Sequence, residues 1–184
     1  SCLLVAGATT GEVTVRNLNP VSLQADMAIV DALTRAGAQI TTTTDSVTVR
    51  RSPSHAFEFD ATHCPDLFPA LAALAASCQG TSMLRGTRRL AHKESDRART
   101  IADVLESMGI NVDLSTPDVM RVTGGEIRGA EVSSHNDHRI AMAAAIAATA
   151  CTGPVTVLGA QCVQKSYPDF WEVYKNLGGD IHVL

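Results

Sequence analysis

Three stretches of this chain read alike: GEVTVRNL from Gly11, GTSMLRGT from Gly80 and GPVTVLGA from Gly153. They recur about every seventy residues, and self-similarity at such a period restricts the fold more than any single segment does. Each is a glycine followed by alternating apolar positions, such as Val13 and Val15, the pattern of a half-buried strand.

A polar loop and a helical pattern follow each strand. In the second unit Ile101, Val104, Leu105 and Met108 form one apolar stripe. Each helix then meets a glycine, in RAGAQI (35–40), SMGINV (107–112) and NLGGDI (176–181), where a left-handed stop is expected and an apolar strand should resume. The first two units add a hairpin partner, SVTVR at 46–50 and VMRVT at 119–123. Ala-rich helices precede the second and third glycine strands, LFPALAALAASCQG (67–80) and RIAMAAAIAATACTG (139–153). The opening SCLLVAGATTG resembles the last turns of the same helix, so the chain reads as a fragment that starts inside one.

The unit is therefore helix–strand–helix–strand–strand. Such small two-layer units cannot bury their sheets alone and must pack on each other. The expectation is one α/β (α+β) domain over 1–184, with units near 1–60, 61–130 and 131–184, helices inside and mixed sheets outside. The third unit is short, so its last strand is absent or supplied from elsewhere.

Composition excludes several classes. A net charge of −4 with 4% aromatics counts against a dedicated nucleic-acid binder. No apolar run reaches the roughly 18 residues of a membrane span. Five cysteines with no CxxC pair argue against a disulfide framework and point to a reducing cytoplasm. His55, His63, His92, His135 and His182 show no metal-ligand spacing, and no metal site is expected.

Six of the fifteen Lys and Arg lie between positions 85 and 99. Surface roles suit Arg85, Arg88 and Arg99. Lys93, Glu94 and Arg97 sit at the start of a helix for which Ser95 is a plausible cap. Asp66 precedes the helix near Leu67, SHNDHR (134–139) leads into the Ala-rich helix, and Lys165 comes just before Pro168, a favoured first-turn residue. Helix starts carry unpaired N–H groups and partial positive charge. If the repeat aligns the helices, Lys93, Arg97, Arg139 and Lys165 would surround a compact anion, with Asp66 and Glu94 as acid–base groups. The bland alternatives stay open: Asp66 as a cap, Glu94 complementing a helix dipole, Asp96 as a capping or bridging residue, Asp137 as a cap or an orienter of Arg139. His138 could bond locally or titrate beside an anion.

KESDR (93–97), NDHRIAM (136–142) and KSYPDF (165–170), in this order, together with PDLFPALAALAA from Pro65, resemble the 3-phosphoshikimate 1-carboxyvinyltransferases, or EPSP synthases. The resemblance places the chain in the C-terminal half of a protein more than twice its length. It implies βαβαββ-type units in one domain of an inside-out, enolpyruvyl transferase-like barrel, with the active site between two such domains. It implies transfer of the enolpyruvyl group of phosphoenolpyruvate (PEP) to the 5-hydroxyl of shikimate 3-phosphate, without metal or organic cofactor. By resemblance Asp66, Glu94 and Lys165 are catalytic, Asp66 and Lys93 contact shikimate 3-phosphate, and Arg97, His138, Arg139 and Lys165 hold PEP. Arg89 stands where the family often has an Asn that contacts shikimate 3-phosphate. The partners implied are the two substrates and the missing N-terminal domain, in a monomer when full length, with no nucleic acid and no membrane. The fragment alone is expected to be inactive. Rival readings are a UDP-N-acetylglucosamine enolpyruvyl transferase, an RNA 3′-phosphate cyclase and a catalytically silent anion-binding module.

Overall fold

The computed structural model describes residues 1–182. α1 (Cys2–Thr10) leads to β1 (Glu12–Arg16), α2 (Ile29–Arg35), β2 (Gln39–Thr42) and β3 (Ser46–Arg50). β4 (Glu58–Asp60) leads to α3 (Phe68–Ala76), β5 (Thr81–Arg85), α4 (Arg97–Ser107), β6 (Asn111–Asp113) and β7 (Val119–Thr123). β8 (Ala130–Ser133), α5 (His138–Ala148), β9 (Val155–Leu158) and α6 (Phe170–Asn176) complete the order. The two hairpin partners expected at 46–50 and 119–123 are β3 and β7.

The repetition extends to strand register. In the first sheet, β1-β3-β2, Glu12 and Gln39 both lie opposite Arg50. In the second, β4-β5-β7-β6, Thr81 and Asn111 both lie opposite Thr123. Both β1–β3 and β5–β7 carry a cross-strand threonine hydroxyl pair, Thr14–Thr48 at 2.8 Å and Thr81–Thr123 at 2.9 Å.

Two strands depart from the sequence reading. β4 and β8 precede the Ala-rich helices and pair in parallel with β5 and β9. With three and four residues they are too short for their alternation to stand out. The middle unit is thus the full β-α-β-α-β-β order. Both Ala-rich helices also stop before the ends of the expected stretches 67–80 and 139–153, at Ala76 and Ala148. Near the C-terminus no strand forms through His182, and the rest of the strand expected after NLGG lies outside the described residues.

The helix stops follow the chemistry of glycine. Gly37, Gly109 and Gly178 have φ of 92°, 84° and 100°. At each one the glycine N–H bonds the carbonyl three residues back and the next N–H bonds the carbonyl five back, as in Leu33–Ala38, Leu105–Ile110 and Tyr174–Gly179. That is the Schellman closure, which needs a residue at ease in the left-handed region.

The sheets lie outside and the helices inside. All nine residues of α3 are buried, and α5 is buried apart from Arg139 and Ala148. Helices apolar on every side belong in the centre of a core. Alanine lets them approach closely: α1, α3 and α5 pack on one another, with α3 beneath β5 and β7, α1 beneath β1 and β3, and α5 beneath β9. α4 is amphipathic, and its expected stripe of Ile101, Val104, Leu105 and Met108 is buried. These inner helices run the same way. The threonines Thr9 and Thr149 at the ends of α1 and α5 bond at 3.3 Å, and a cavity of about 590 Å³ there is lined by Thr9, Ser77 and Ala150. Their N-terminal ends therefore gather at the other end.

Candidate active site

The side chains at those gathered N-terminal ends converge on two aspartates. Asp66 lies in a short turn, Pro65–Leu67, that feeds α3. Asp137 caps α5, its Oδ1 accepting the Arg139 N–H at 2.9 Å. Asp96, rather than Ser95, caps α4, accepting from the Arg99 N–H. Ser95 instead donates its hydroxyl to Asp137 Oδ2 at 3.0 Å. Adjacent Ser and Asp are both capable caps, and here the buried aspartate takes the serine.

Arg97 is the first residue of α4 and its side chain is wholly buried. A cation at a helix start opposes the dipole, so it must be held there by something stronger. Three carboxylates hold it. Nε donates to Asp137 Oδ2 at 2.8 Å, Nη1 to Asp66 Oδ1 at 2.6 Å, and Nη2 to Glu94 Oε2 at 2.5 Å and Asp137 Oδ1 at 3.3 Å. Burial alone would lower the Arg97 pKa, but hydrogen bonds and charge from Asp137, Asp66 and Glu94 raise it above the ordinary value. Burial likewise pushes Asp137 up, and Arg97, the Arg139 N–H and Ser95 more than reverse it, keeping the carboxyl below its usual range.

Asp66 is the more open of the two, with its side chain 35% exposed. Besides Arg97 it meets Lys93 Nζ at 3.1 Å and Arg139 Nη2 at 3.4 Å, and its backbone carbonyl accepts from Arg139 Nη1 at 3.2 Å. Burial pushes its pKa up, and Arg139, Lys93 and Arg97 pull it further down, so Asp66 is ionised at neutral pH. Lys93 and Arg139 are partly exposed around it.

His138 follows Asp137 into α5 and is 6% exposed. Its Nδ1 is buried with no hydrogen-bond partner among the described residues. Burial lowers its pKa; Asp137 and Glu94 oppose this and Arg139 and Arg97 add to it, so the ring is neutral at pH 7. Lys165 ends the turn Ala160–Lys165 ahead of α6, and its Nζ donates to the Asn136 carbonyl at 2.6 Å. α6 itself begins at Phe170, later than Pro168 suggested.

The 134–137 turn that places these groups is an unusual piece of backbone. His135 and Asn136 both have positive φ, 51° and 57°. Buried Ser134 secures it, donating to the Gly159 carbonyl at 3.1 Å and accepting from the Asn136 N–H at 3.2 Å. A Cβ on Gly159 would sit 2.7 Å from the Ser134 hydroxyl, so the glycine lets the two turns touch.

Asp66, Lys93, Glu94, Arg97 and Arg139 are thus in one hydrogen-bonded cluster, His138 is within its helix start, and Lys165 is tied to the same turn. Arg85, Arg88, Arg89 and Arg99 are exposed on the surface. The cap expected of Asp137 is present, but its bonds to Arg97, 40 residues away, and the tie from Ser95 escaped the sequence. A cleft of about 310 Å³ opens beside Arg139, lined also by Leu18, Met142 and Tyr167. An anion reaching the outer nitrogens of Arg97 must exchange with Asp66 or Glu94.

A model of one family, EPSP synthase (3-phosphoshikimate 1-carboxyvinyltransferase), matches residues 1–174. The chain belongs to the EPSP synthase family. Among proteins named 3-phosphoshikimate 1-carboxyvinyltransferase, that of Clostridium acetobutylicum is 43% identical over 180 residues, covering 97% of this chain and 41% of its own length. That of Thermococcus kodakarensis is 43% identical, covering 96% of the chain and 44% of its own length. The chain therefore spans less than half the length of the curated relatives it matches. The EPSP synthase structure from Acinetobacter baumannii superposes with a TM-score of 0.80 at 27% identity, over 99% of this chain and 45% of that one. The enolpyruvyl transferase NikO from Streptomyces tendae shares the fold, with a TM-score of 0.74 at 23% identity over 98% of this chain and 42% of that one. Among the described residues, no helix is long and apolar enough to cross a membrane.

Proposed function

We propose that the full-length protein transfers the enolpyruvyl group of PEP to the 5-hydroxyl of shikimate 3-phosphate and releases phosphate, as a 3-phosphoshikimate 1-carboxyvinyltransferase. One observation carries the reading: in a member of this family, Lys93, Arg97 and Arg139 all reach a single ionised carboxylate, Asp66. Both substrates are dense anions, and guanidinium and ammonium groups complement them in charge and geometry.

Asp66 takes the proton of the 5-hydroxyl and contacts shikimate 3-phosphate; its cations keep it ionised at rest but weaken it as a base, and its basicity recovers as Lys93, Arg97 and Arg139 turn to the substrate anions. The freed oxygen bonds to C2 of PEP while the methylene gains a proton, giving a tetrahedral adduct. Loss of phosphate and of a methyl proton then restores the double bond. Glu94 and Lys165 share the proton transfers, and a carboxylate there stabilises the positive charge that develops at C2. Lys93 contacts the phosphate of shikimate 3-phosphate. Arg139, Lys165 and, after exchange of its carboxylate partners, Arg97 hold PEP, with His138 beside them.

This chain forms one domain of three units, and the rest of the protein closes the site as a cytoplasmic monomer. Phosphate release that requires both substrates in the full-length protein tests the reading. Binding of both ligands without release would identify a silent anion-binding module instead. Robust turnover by residues 1–184 alone would overturn the division of labour between the two halves.

A further inference from the structure

We infer that Asp137 is a positioning residue for this reaction, acting through Arg97 to fix the geometry of Asp66 and Glu94. The inference rests on the proposed reaction and adds to it a residue that touches neither substrate. Asp137 is wholly buried, as is the side chain of Arg97. Its two oxygens serve three jobs. Oδ1 accepts the Arg139 N–H at 2.9 Å and Arg97 Nη2 at 3.3 Å, and Oδ2 accepts Arg97 Nε at 2.8 Å and the Ser95 hydroxyl at 3.0 Å.

A plain helix cap needs only the first of these bonds. The others cross 40 and 42 residues of sequence to the loop that carries Lys93 and Glu94. Two of them come from the Nε–Nη2 edge of the planar Arg97 guanidinium and the third from the Ser95 hydroxyl. With Nε held, the rigid fork presents Nη1 to Asp66 at 2.6 Å and Nη2 to Glu94 at 2.5 Å. The same aspartate sets the first turn of α5, from which Arg139 reaches Asp66. One buried carboxylate thus couples the starts of α3, α4 and α5. Its backbone is secured in turn by the 134–136 turn and Ser134. Without that charge the fork is free to swing, and displacements of about 1 Å in an active site cost about 100-fold in rate.

The test is a double-mutant cycle in the full-length protein, following phosphate release with both substrates. Asp137→Asn keeps the cap acceptor for the Arg139 N–H but cannot accept at both oxygens. It should lower kcat/KM about 100-fold, with Arg97→Gln lower still. Because Asp137 acts through Arg97, adding Asp137→Asn to Arg97→Gln should cost no more than about threefold further. Penalties that multiply would mean that Asp137 is only structural, and full activity of Asp137→Asn would remove its role altogether. Absence of turnover in the wild type would instead defeat the proposed function.

If the variants do not fold, nitrogen NMR of the unaltered protein decides. The Arg97 Nε–H should exchange with water far more slowly than that of exposed Arg99. Equal exchange rates would show that Asp137 does not hold it.

Discussion

Replacing Arg97 with Leu removes the one cation shared by three carboxylates, and their exposure fixes how much each loses. Asp66 and Glu94 have side chains 35% and 41% exposed, so water replaces the lost bonds and each contributes at most about 1 kcal/mol. Asp137 has no exposed side-chain surface and keeps only the Ser95 hydroxyl and the Arg139 N–H. An uncompensated buried charge costs about 3–5 kcal/mol, so that is the expected loss at pH 7. At a urea slope of about 2 kcal/mol/M the unfolding midpoint falls by roughly 2 M. The sign of the pH dependence adds a second check. In the unaltered protein the Asp137 pKa is depressed, so its stabilisation is full above the ordinary carboxylate range and is lost as pH falls through the lower folded value. In Arg97→Leu the burial effect is left with little opposition and the folded pKa rises, so protonation relieves the penalty. The stability gap between the two proteins should narrow from pH 7 to pH 4. Adding Asp137→Asn to Arg97→Leu should recover part of the loss at pH 7. Urea titrations at both pH values decide the matter. A loss below about 1 kcal/mol at pH 7, or a gap that widens in acid, would refute the reasoning.

Glu94→Gln should lower turnover about 100-fold or more while shifting the thermal midpoint little, since the Glu94 side chain is 41% exposed; steady-state kinetics beside a melting curve checks both. Gly86→Ala should destabilise the chain by more than about 1 kcal/mol, because Gly86 has φ of 105° and a Cβ there would lie 2.7 Å from the Thr62 backbone nitrogen. A denaturation midpoint equal to that of the unaltered protein would show that this turn carries no such constraint.

The parts of the fold legible in the sequence were those with a chemical cause of their own. Gly37, Gly109 and Gly178 mark helix stops because the left-handed turn is costly for other residues, and the stripe of α4 follows from its helical period. β4 and β8 escaped because so few residues carry no period, and what makes them strands is pairing with β5 and β9 across an intervening helix. The site divides in the same way. Lys93, Arg97, Arg139 and Lys165 stood out as cations at helix starts in a mildly acidic chain. Asp137 read as an ordinary cap, because nothing in NDHR reveals a partner 40 residues upstream. Nor does sequence show that the Arg97 guanidinium is shared by three carboxylates, since that follows only from the packing of the starts of α3, α4 and α5.

The most direct measurement is a crystal structure of the full-length protein with shikimate 3-phosphate and PEP bound, captured with a slow variant such as Glu94→Gln. Both ligands should lie at the gathered helix starts, with PEP within hydrogen-bond distance of Arg139 and Lys165 and the 5-hydroxyl of shikimate 3-phosphate facing Asp66. Ligands bound elsewhere, with Asp66, Arg139 and Lys165 contacting only one another, would contradict the proposed function.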